Sequence, residues 1–231
     1  MILLLASQFD QQASRLAGFW AKHEACVMTA RDLSQEGWVF SPDGADQWIG
    51  KIGDRTFGPS DLAGVLNCVP EVSEQELGHI VAEDRAYVAA EMNAFLLSWQ
   101  SQLSCPIVNR PTPGCLCGPA WRLERWILTA AALGIPVNSV QRSSRRTESI
   151  AAETLEETRS VTVIGDVVMA DDSEIERWAR LLARAARVTV ATFYFGSTSQ
   201  PNLAGVSPRA NLDDHAVQDA LLQCFEVSTP C

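Results

Sequence analysis

The chain has 231 residues, and its 18 Lys and Arg against 28 Asp and Glu give a formal net charge of −10 at pH 7. This acidic balance argues against nucleic acid and anionic membranes as partners, because binding to either needs clustered basic side chains. The longest apolar stretches span about ten residues, half of what a membrane-crossing helix needs. Together with the dispersed cysteines, this composition favours a cytoplasmic protein with reduced thiols.

The opening of the chain predicts a strand, a helix and a second strand. Ile2–Leu5 is a short apolar run, which suits a strand buried on both faces. Gln11–His23 has apolar residues at helical spacing, and Cys26–Met28 is a second short apolar run. Together they predict a βαβ unit, in which the two strands are parallel.

The middle of the chain predicts a hairpin, a strand and the longest helix. Asp46–Phe57 contains a Gly-Asp turn between two short segments, and Leu62–Cys68 is an apolar run. Ser73–Gln102 follows with apolar residues at helical spacing. Ser73 and Glu76 have the spacing of a capping box, which predicts that the helix begins there.

A cysteine pair lies in the next loop. Pro106–Val108 predicts a strand and Ala120–Leu133 a helix, and the Gly- and Pro-rich loop between them contains Cys115 and Cys117. Two thiolates at this spacing can bind Zn²⁺ or Cu(I), and a helix N-terminus can lower the pKa of a thiol. No further ligand is identifiable nearby, so a loop with ordinary reduced thiols is the competing interpretation.

The second half of the chain predicts a small α+β region. Residues 139–158 form a composition break with the charge pattern of a linker. Val161–Ala170 predicts a hairpin around a Gly-Asp turn. The carboxylates of Asp171 and Asp172 precede a helix from Ser173, where capping is a better interpretation than cation binding. A strand over Val188–Phe195 and a helix over Asp213–Phe225 complete the predicted elements.

Three stretches, in this order, resemble the ATP-grasp ligases, in particular the RimK-like enzymes and the ligases that form macrolactones and macrolactams in peptides. Met1–Thr29 is similar to the family's pre-ATP-grasp domain. Leu66–Val137 contains the long helix, the N-x-P turn Asn109-Arg110-Pro111 and an ending similar to the family's A-x-x-x-G-[IL]-x-V. Arg159–Ala170 is similar to the hairpin R-V-x-V-V-G-D-x-V-x-A.

The predicted elements and this resemblance imply an α/β fold. A pre-ATP-grasp-like (Rossmann-like) domain with a parallel sheet is expected over residues 1–138, followed by the linker over 139–158. A smaller, truncated α+β remnant of the ATP-grasp core is expected over 159–231. Family members often dimerise through the long helix, so the resemblance also implies a homodimer.

The sequence departs from the family at the groups that handle ATP. Members hold the phosphates with two lysines, but no lysine follows Lys51, and Arg122 is the nearest basic residue to the first position. Only about twenty residues separate Val137 from Arg159, too few for the nucleotide-binding subdomain. Leu203–Pro208, which takes the place of the Mg²⁺-binding residues, contains neither a carboxylate nor Asn.

These departures predict a non-catalytic ATP-grasp-like protein, with no catalytic residue, cofactor or metal ion. It would act as a binding or scaffold partner in a protein- or peptide-modifying system, contacting a protein or peptide. Trp38 and Trp48 lie near turns and are the aromatic interface candidates. The full set of candidate ligand or partner residues is Asn109, Arg110, Cys115, Cys117, Arg122, Trp38 and Trp48.

Two alternatives stay open. One is a shortened ATP-dependent carboxylate–amine (peptide) ligase, in which Arg110, Arg122 and Arg125 would take over the phosphates. The other is a thiol or metal protein that uses Cys115 and Cys117.

Overall fold

A computed structural model describes residues 1–41, 47–138, 158–196 and 201–226. Most of the predicted linker, residues 139–157, lies outside the described residues. The chain divides into two compact units, one comprising Met1–Ala120 with Asn211–Cys231 and the other Trp121–Ala210. Among the described helices, none is both long and apolar enough to cross a membrane.

The first unit is built around a parallel sheet. Its elements are β1 (Ile2–Leu5), α1 (Gln11–Phe19), β2 (Cys26–Met28), α2 (Ala30–Leu33), β3 (Gly50–Ile52), β4 (Arg55–Phe57), β5 (Gly64–Asn67), α3 (Arg85–Ser101), β6 (Ile107–Val108) and α6 (His215–Glu226). The described strands of the sheet have the order β2-β1-β5-β6. Leu3 of β1 pairs with Cys26 of β2 and with Val65 of β5. Strand β1 is apolar throughout because other chain segments cover both of its faces.

The second unit is built around an antiparallel sheet. Its elements are α4 (Leu123–Ala132), β7 (Thr158–Ile164), β8 (Val167–Met169), α5 (Ser173–Ala186), β9 (Val190–Gly196) and β10 (Leu203–Ser207). The described strands have the order β10-β9-β7-β8. Helix α5 buries Ile175, Trp178 and Leu182 on one face, at the helical spacing that the sequence shows. These two sheets confirm the expected α/β class, with a parallel sheet followed by an α+β region.

The division into units falls at different positions from the expected boundaries at 138 and 159. Helix α4 groups with the second unit because it packs against β10 and α5, and Val137 forms a β-bridge with Leu203. Helix α6 groups with the first unit because Phe225 packs edge-on against Trp20 and lies against Gly64.

The predicted helix over Ser73–Gln102 is wrong for the residues before Arg85. Glu74–Leu77 and Ala82–Asp84 are short 3₁₀ turns, and helix α3 begins only at Arg85. The Ser73 side chain caps nothing in this segment. The expected capping box does not form because the Glu76 side chain is bonded to residues that follow β1 instead.

Helix α5 confirms the capping interpretation for Asp172. The Asp172 carboxylate accepts hydrogen bonds from the backbone N–H groups of Glu174 and Ile175, at 2.9 and 3.3 Å. This arrangement satisfies two donors that the first turn of a helix leaves without partners.

Candidate functional site

The candidate site lies at the carboxyl ends of two neighbouring parallel strands in the first unit. Asn67 is the last residue of β5, and Asn109 directly follows β6. Carboxyl ends of parallel strands lie at the same edge of a sheet, where ligand sites of α/β folds are found. Asn67 is 4% and Asn109 is 3% exposed. The side chains at this edge of the sheet are therefore two buried amides, and neither faces solvent.

A third amide, that of Gln100 on α3, completes a network. Asn67 Nδ2 donates to Gln100 Oε1 at 2.9 Å and to the Asn109 carbonyl oxygen at 2.8 Å. Gln100 Nε2 donates back to Asn67 Oδ1 at 3.1 Å. Buried amides are costly to desolvate unless they are paired, so this network fixes the two strand ends against the helix.

The loop after β6 closes over the network. Asn109 Nδ2 donates to the Cys117 carbonyl oxygen at 3.0 Å, and Thr112 Oγ1 donates to the Gly118 carbonyl oxygen at 2.7 Å. Gly118 has φ +119°, and a Cβ there would lie 3.1 Å from Asn109 Cβ. Glycine is therefore needed both for the backbone conformation and for the close approach to Asn109.

The two cysteines of this loop occupy different environments. Cys117 is 1% exposed, and its Sγ donates to the Asn67 carbonyl oxygen at 3.4 Å. Cys115 is partly exposed. The hydrogen bond that the Cys117 side chain can donate to the ionised Cys115 sulfur, in place of the Asn67 carbonyl oxygen, lowers the pKa of the Cys115 thiol from its ordinary value near 9 to about 7, and burial and the Glu71 carboxylate oppose this effect. Near neutral pH a large fraction of Cys115 is therefore thiolate, the nucleophilic form.

Cys115 lines a surface pocket of about 140 Å³. The pocket walls include Pro70, Glu71, Asn93, Thr112 and Leu97. Asn93 is held in place because its amide exchanges two hydrogen bonds of 2.9 Å with the backbone of Val72. The pocket lining therefore includes one ionisable thiol, one carboxylate and one fixed amide among mostly apolar residues.

Among the described residues, the structure offers the cysteine pair no further side chains with which to bind a metal ion. In these ranges no group of three or more His, Cys, Asp or Glu is arranged to hold a metal ion. The stretch expected to replace the Mg²⁺ ligands is strand β10, in which Val206 pairs with Phe193 of β9.

The three arginines considered for phosphate binding are divided between the units. Arg110 is an exposed residue of the first unit, whereas Arg122 and Arg125 belong to the second. Arg122 is exposed at the N-cap of α4. The Arg125 guanidinium lies 4.2 Å from the centre of the Trp121 ring, a cation–π contact.

The two tryptophans expected at an interface lie in the core of the first unit. Trp48 is 2% exposed and packs edge-on against Trp99 and Phe57. Trp38 is half-buried in the same cluster, and its Nε1 donates to the Asp32 carbonyl oxygen at 3.1 Å. Their position near turns is therefore a poor guide to exposure, and the expectation of a surface role is wrong for Trp48.

Sequence analysis missed two of the three amides in the network. Gln100 falls on the apolar face of α3 beside Leu96 and Trp99, and a polar residue at such a position requires a buried partner. Asn67 is likewise a polar residue at the end of an apolar strand, and it also requires a buried hydrogen-bond partner. Two buried amides on neighbouring elements could have been paired on that basis.

No protein-family model matches the sequence, and no curated protein is similar to it. Solved structures do match. A RiPP-associated ATP-grasp ligase from Chryseobacterium gregarium, in complex with ADP and a leader and core peptide, has a TM-score of 0.69 at 10% identity, with 99% of this chain and 97% of that chain covered.

Two macrocyclases from Microcystis aeruginosa are similar to the same extent. MdnC, bound with the precursor peptide MdnA, has a TM-score of 0.69 at 10% identity, with 99% of this chain and 100% of that chain covered. MdnB has a TM-score of 0.67 at 12% identity, with 96% and 98% covered. Identities this low establish the fold alone. The chain therefore has the fold of the peptide-modifying ATP-grasp ligases.

Proposed function

We propose that the chain is a non-catalytic ATP-grasp-like protein that binds a peptide or protein partner in a peptide-modifying system. The observation that carries the proposal is the combination of this fold with a sequence that has no lysine after Lys51. Similar ligases have been solved with precursor peptides bound. A chain that keeps their fold without their phosphate-binding side chains is suited to holding a peptide rather than activating it.

The chemistry of phosphoryl transfer supports the absence of ligase activity. The reaction depends on positioning and on neutralising the phosphate charges. Strand β10, at the position expected for the Mg²⁺ ligands, carries no carboxylate in its sequence, and Mg²⁺ needs oxygen ligands of that kind.

The exposed side of α4 supplies a surface for an apolar partner. Leu128 is 71% exposed, and Leu123 and Leu133 are also exposed. Ala131 and Ala132 lie exposed beside them. Leu128, Ala131 and Ala132 are neighbours on the helix at spacings of three and four residues. Adjoining apolar side chains on a surface can contact a protein partner, and we assign the partner contact to these three residues, the α4 surface.

Calorimetric titration with ATP and Mg²⁺ tests the loss of ligase chemistry. The expected result is no measurable heat at millimolar nucleotide. Saturable binding with a micromolar Kd would overturn the non-catalytic assignment.

Recovery of crosslinked partners from an extract of the native host tests the α4 surface. Leu128→Glu should reduce recovery of the same partner that the unaltered chain retains. Phe9→Glu is the matched control, because Phe9 is 70% exposed in the first unit and receives the same charge. Equal recovery with Leu128→Glu and the unaltered chain would contradict the assignment.

A shortened ligase is the second candidate function, and exposed Arg122 at the start of α4 is the observation that favours it. It requires ATP consumption coupled to a new bond at a peptide carboxylate. Loss of that product in Arg122→Ala would support this candidate, and unchanged product formation would remove Arg122 from the phosphate site.

A homodimer is a further part of the proposal. Ala86, Tyr87, Ala90 and Ala94 are exposed at helical spacing along α3, so a second copy could pack closely against this side. Light scattering after size exclusion should report twice the mass of one chain. Tyr87→Glu should then shift the protein to a monomer, and a monomeric unaltered chain would contradict the dimer.

A further inference from the structure

We propose that Cys115 and Cys117 form a redox-active dithiol that exchanges with low-molecular-weight disulfides, with Cys115 as the attacking thiol and Cys117 as the resolving thiol. This inference does not depend on the peptide-binding role. It rests on the two thiols, the pocket beside them and the hydrogen bonds that connect them to the sheet.

The unequal burial of the thiols fits these two roles. Cys115 is partly exposed and lines the pocket, so a small disulfide can reach it. Cys117 is 1% exposed in the same loop, so external disulfides cannot reach it directly. It can react only with a sulfur that is already attached to Cys115.

The hydrogen bonds show how Cys115 is activated. Cys117 has one S–H proton, which in the neutral pair is directed at the Asn67 carbonyl oxygen, 3.4 Å from Cys117 Sγ. When Cys115 ionises, the same proton and the Cys117 backbone N–H can stabilise the Cys115 thiolate, which accounts for its pKa of about 7. A thiol with a pKa near the ambient pH is the most effective attacking group in disulfide exchange.

The pocket also indicates which disulfides react fastest. Glu71 places a carboxylate on the wall that Cys115 shares. A disulfide that carries ammonium groups is attracted to this wall, whereas one with a net negative charge is repelled. The expected substrate class is therefore cationic aminothiol disulfides, ahead of oxidised glutathione.

The exchange has two steps. The Cys115 thiolate attacks one sulfur of the disulfide RSSR, the S–S bond breaks, and RS⁻ leaves a mixed disulfide on Cys115. Cys117 then loses its proton and attacks the Cys115 sulfur, which releases a second RS⁻. Two protein thiols are oxidised, one RSSR is reduced to two thiols, and the two leaving thiolates take up the two protons.

The spacing of the pair permits the final bond. The two side chains are close enough for a hydrogen bond between Cys117 and Cys115. Cα atoms two residues apart are separated by about 7 Å or less, which overlaps the range of about 4.4–6.8 Å that disulfides span. Formation of the disulfide removes the hydrogen bond that Cys117 donates to the Asn67 carbonyl oxygen. Oxidation therefore changes the contacts of Asn67, the last residue of β5.

Incubation of the full chain with cystamine or oxidised glutathione, followed by mass spectrometry of the intact protein and of its peptides, tests the proposal. The unaltered chain should lose two hydrogens and join Cys115 to Cys117. Cys117→Ser keeps a donor for Asn67 and should accumulate the mixed disulfide at Cys115. Cys115→Ser should slow total modification about tenfold. Cystamine should react faster than oxidised glutathione, and Glu71→Gln should reduce that preference.

Cys105→Ser is the matched control, because Cys105 is also partly exposed while burial raises the pKa of its thiol to about 11. It should react like the unaltered chain. Undiminished modification of Cys115→Ser, or a Cys117→Ser chain that stays unmodified at Cys115, would overturn the proposal. Timed alkylation of the unaltered chain needs no variant: labelling of Cys26 or Cys105 before Cys115 would also overturn it.

Discussion

Asn67 and Gln100 form a reciprocal amide pair that joins the end of strand β5 to the last turns of helix α3. Each side chain donates to the other, at 2.9 and 3.1 Å, and Gln100 is fully buried. Asn67 also bonds the Asn109 carbonyl oxygen. The candidate site therefore depends on an internal polar network that holds a helix, two strand ends and the cysteine loop in one arrangement.

Gln100→Met is expected to destabilise the first unit by about 1–3 kcal/mol, because it leaves the buried Asn67 amide with an unsatisfied donor and acceptor. Urea denaturation followed by tryptophan fluorescence measures the change. Gln223→Met is the matched control, since Gln223 is an exposed residue of helix α6. If Gln100→Met and the control had equal denaturation midpoints, the Asn67–Gln100 pair would make no net contribution to the free energy of unfolding.

The carboxylate of Glu76 provides a second prediction. It accepts a hydrogen bond from Ser7 Oγ at 2.5 Å and one from the Gln8 backbone N–H at 3.3 Å. Ser7→Ala should therefore destabilise the first unit by about 1–2 kcal/mol, since it removes a hydrogen bond to a charged group. Ser73→Ala should change the stability by a few tenths of a kcal/mol at most, because the Ser73 side chain caps nothing. If urea denaturation showed Ser73→Ala to be more destabilising than Ser7→Ala, the result would support the capping box expected from the sequence.

The sequence predicts the elements whose signal is local. Strand β1, the Gly-Asp hairpins and helix α5 follow from short apolar runs, turn residues and a buried face with a cap. Strand β10 was not predicted, since Leu203–Ser207 has no strong strand pattern and is held by its pairing with β9. Contacts between distant segments decide such elements.

The same distinction explains the errors at the candidate site. Ser73 and Glu76 have the spacing of a capping box, yet Glu76 bonds Ser7, which is 69 residues away in the sequence. Trp48 lies near turn residues, yet the Trp99 ring covers it. Cys115 and Cys117 were identified from their spacing alone, whereas their unequal burial depends on how the loop packs on Asn109.

The close approach of Gly64 to Phe225 provides a third prediction, for the placement of α6 in the first unit. A Cβ on Gly64 would overlap the Phe225 ring, so Gly64→Ala should cost about 1–3 kcal/mol through overpacking. Gly78→Ala is the control, because Gly78 has helical φ and nothing lies within 4 Å of an added Cβ. The double variant Gly64→Ala/Phe225→Leu should recover part of the loss. Equal denaturation midpoints for the two glycine variants would contradict the packing of α6 on β5.

The pH dependence of thiol reactivity is the fourth prediction. Cys115 should react with iodoacetamide at a rate that is half-maximal near pH 7, because a hydrogen bond from Cys117 lowers its pKa to about 7. Cys105 should react slowly up to pH 9, because burial raises its pKa to about 11. Peptide mapping after timed alkylation measures each site separately. In Cys117→Ala the Cys115 midpoint should rise toward the ordinary value, since the side-chain donor is lost.

The same shift predicts the direction of a stability change. Cys115 has a lower pKa in the folded chain than its ordinary value near 9, so its contribution is fully present above pH 9 and is lost as the pH falls through 7. The free energy of unfolding should therefore rise between pH 7 and 9, and Cys115→Ser should remove that rise. Above pH 9 the raised pKa values of Cys26 and Cys105 act in the opposite direction, because only the unfolded chain ionises these thiols readily. A rise of equal size in Cys115→Ser would assign the effect to other groups.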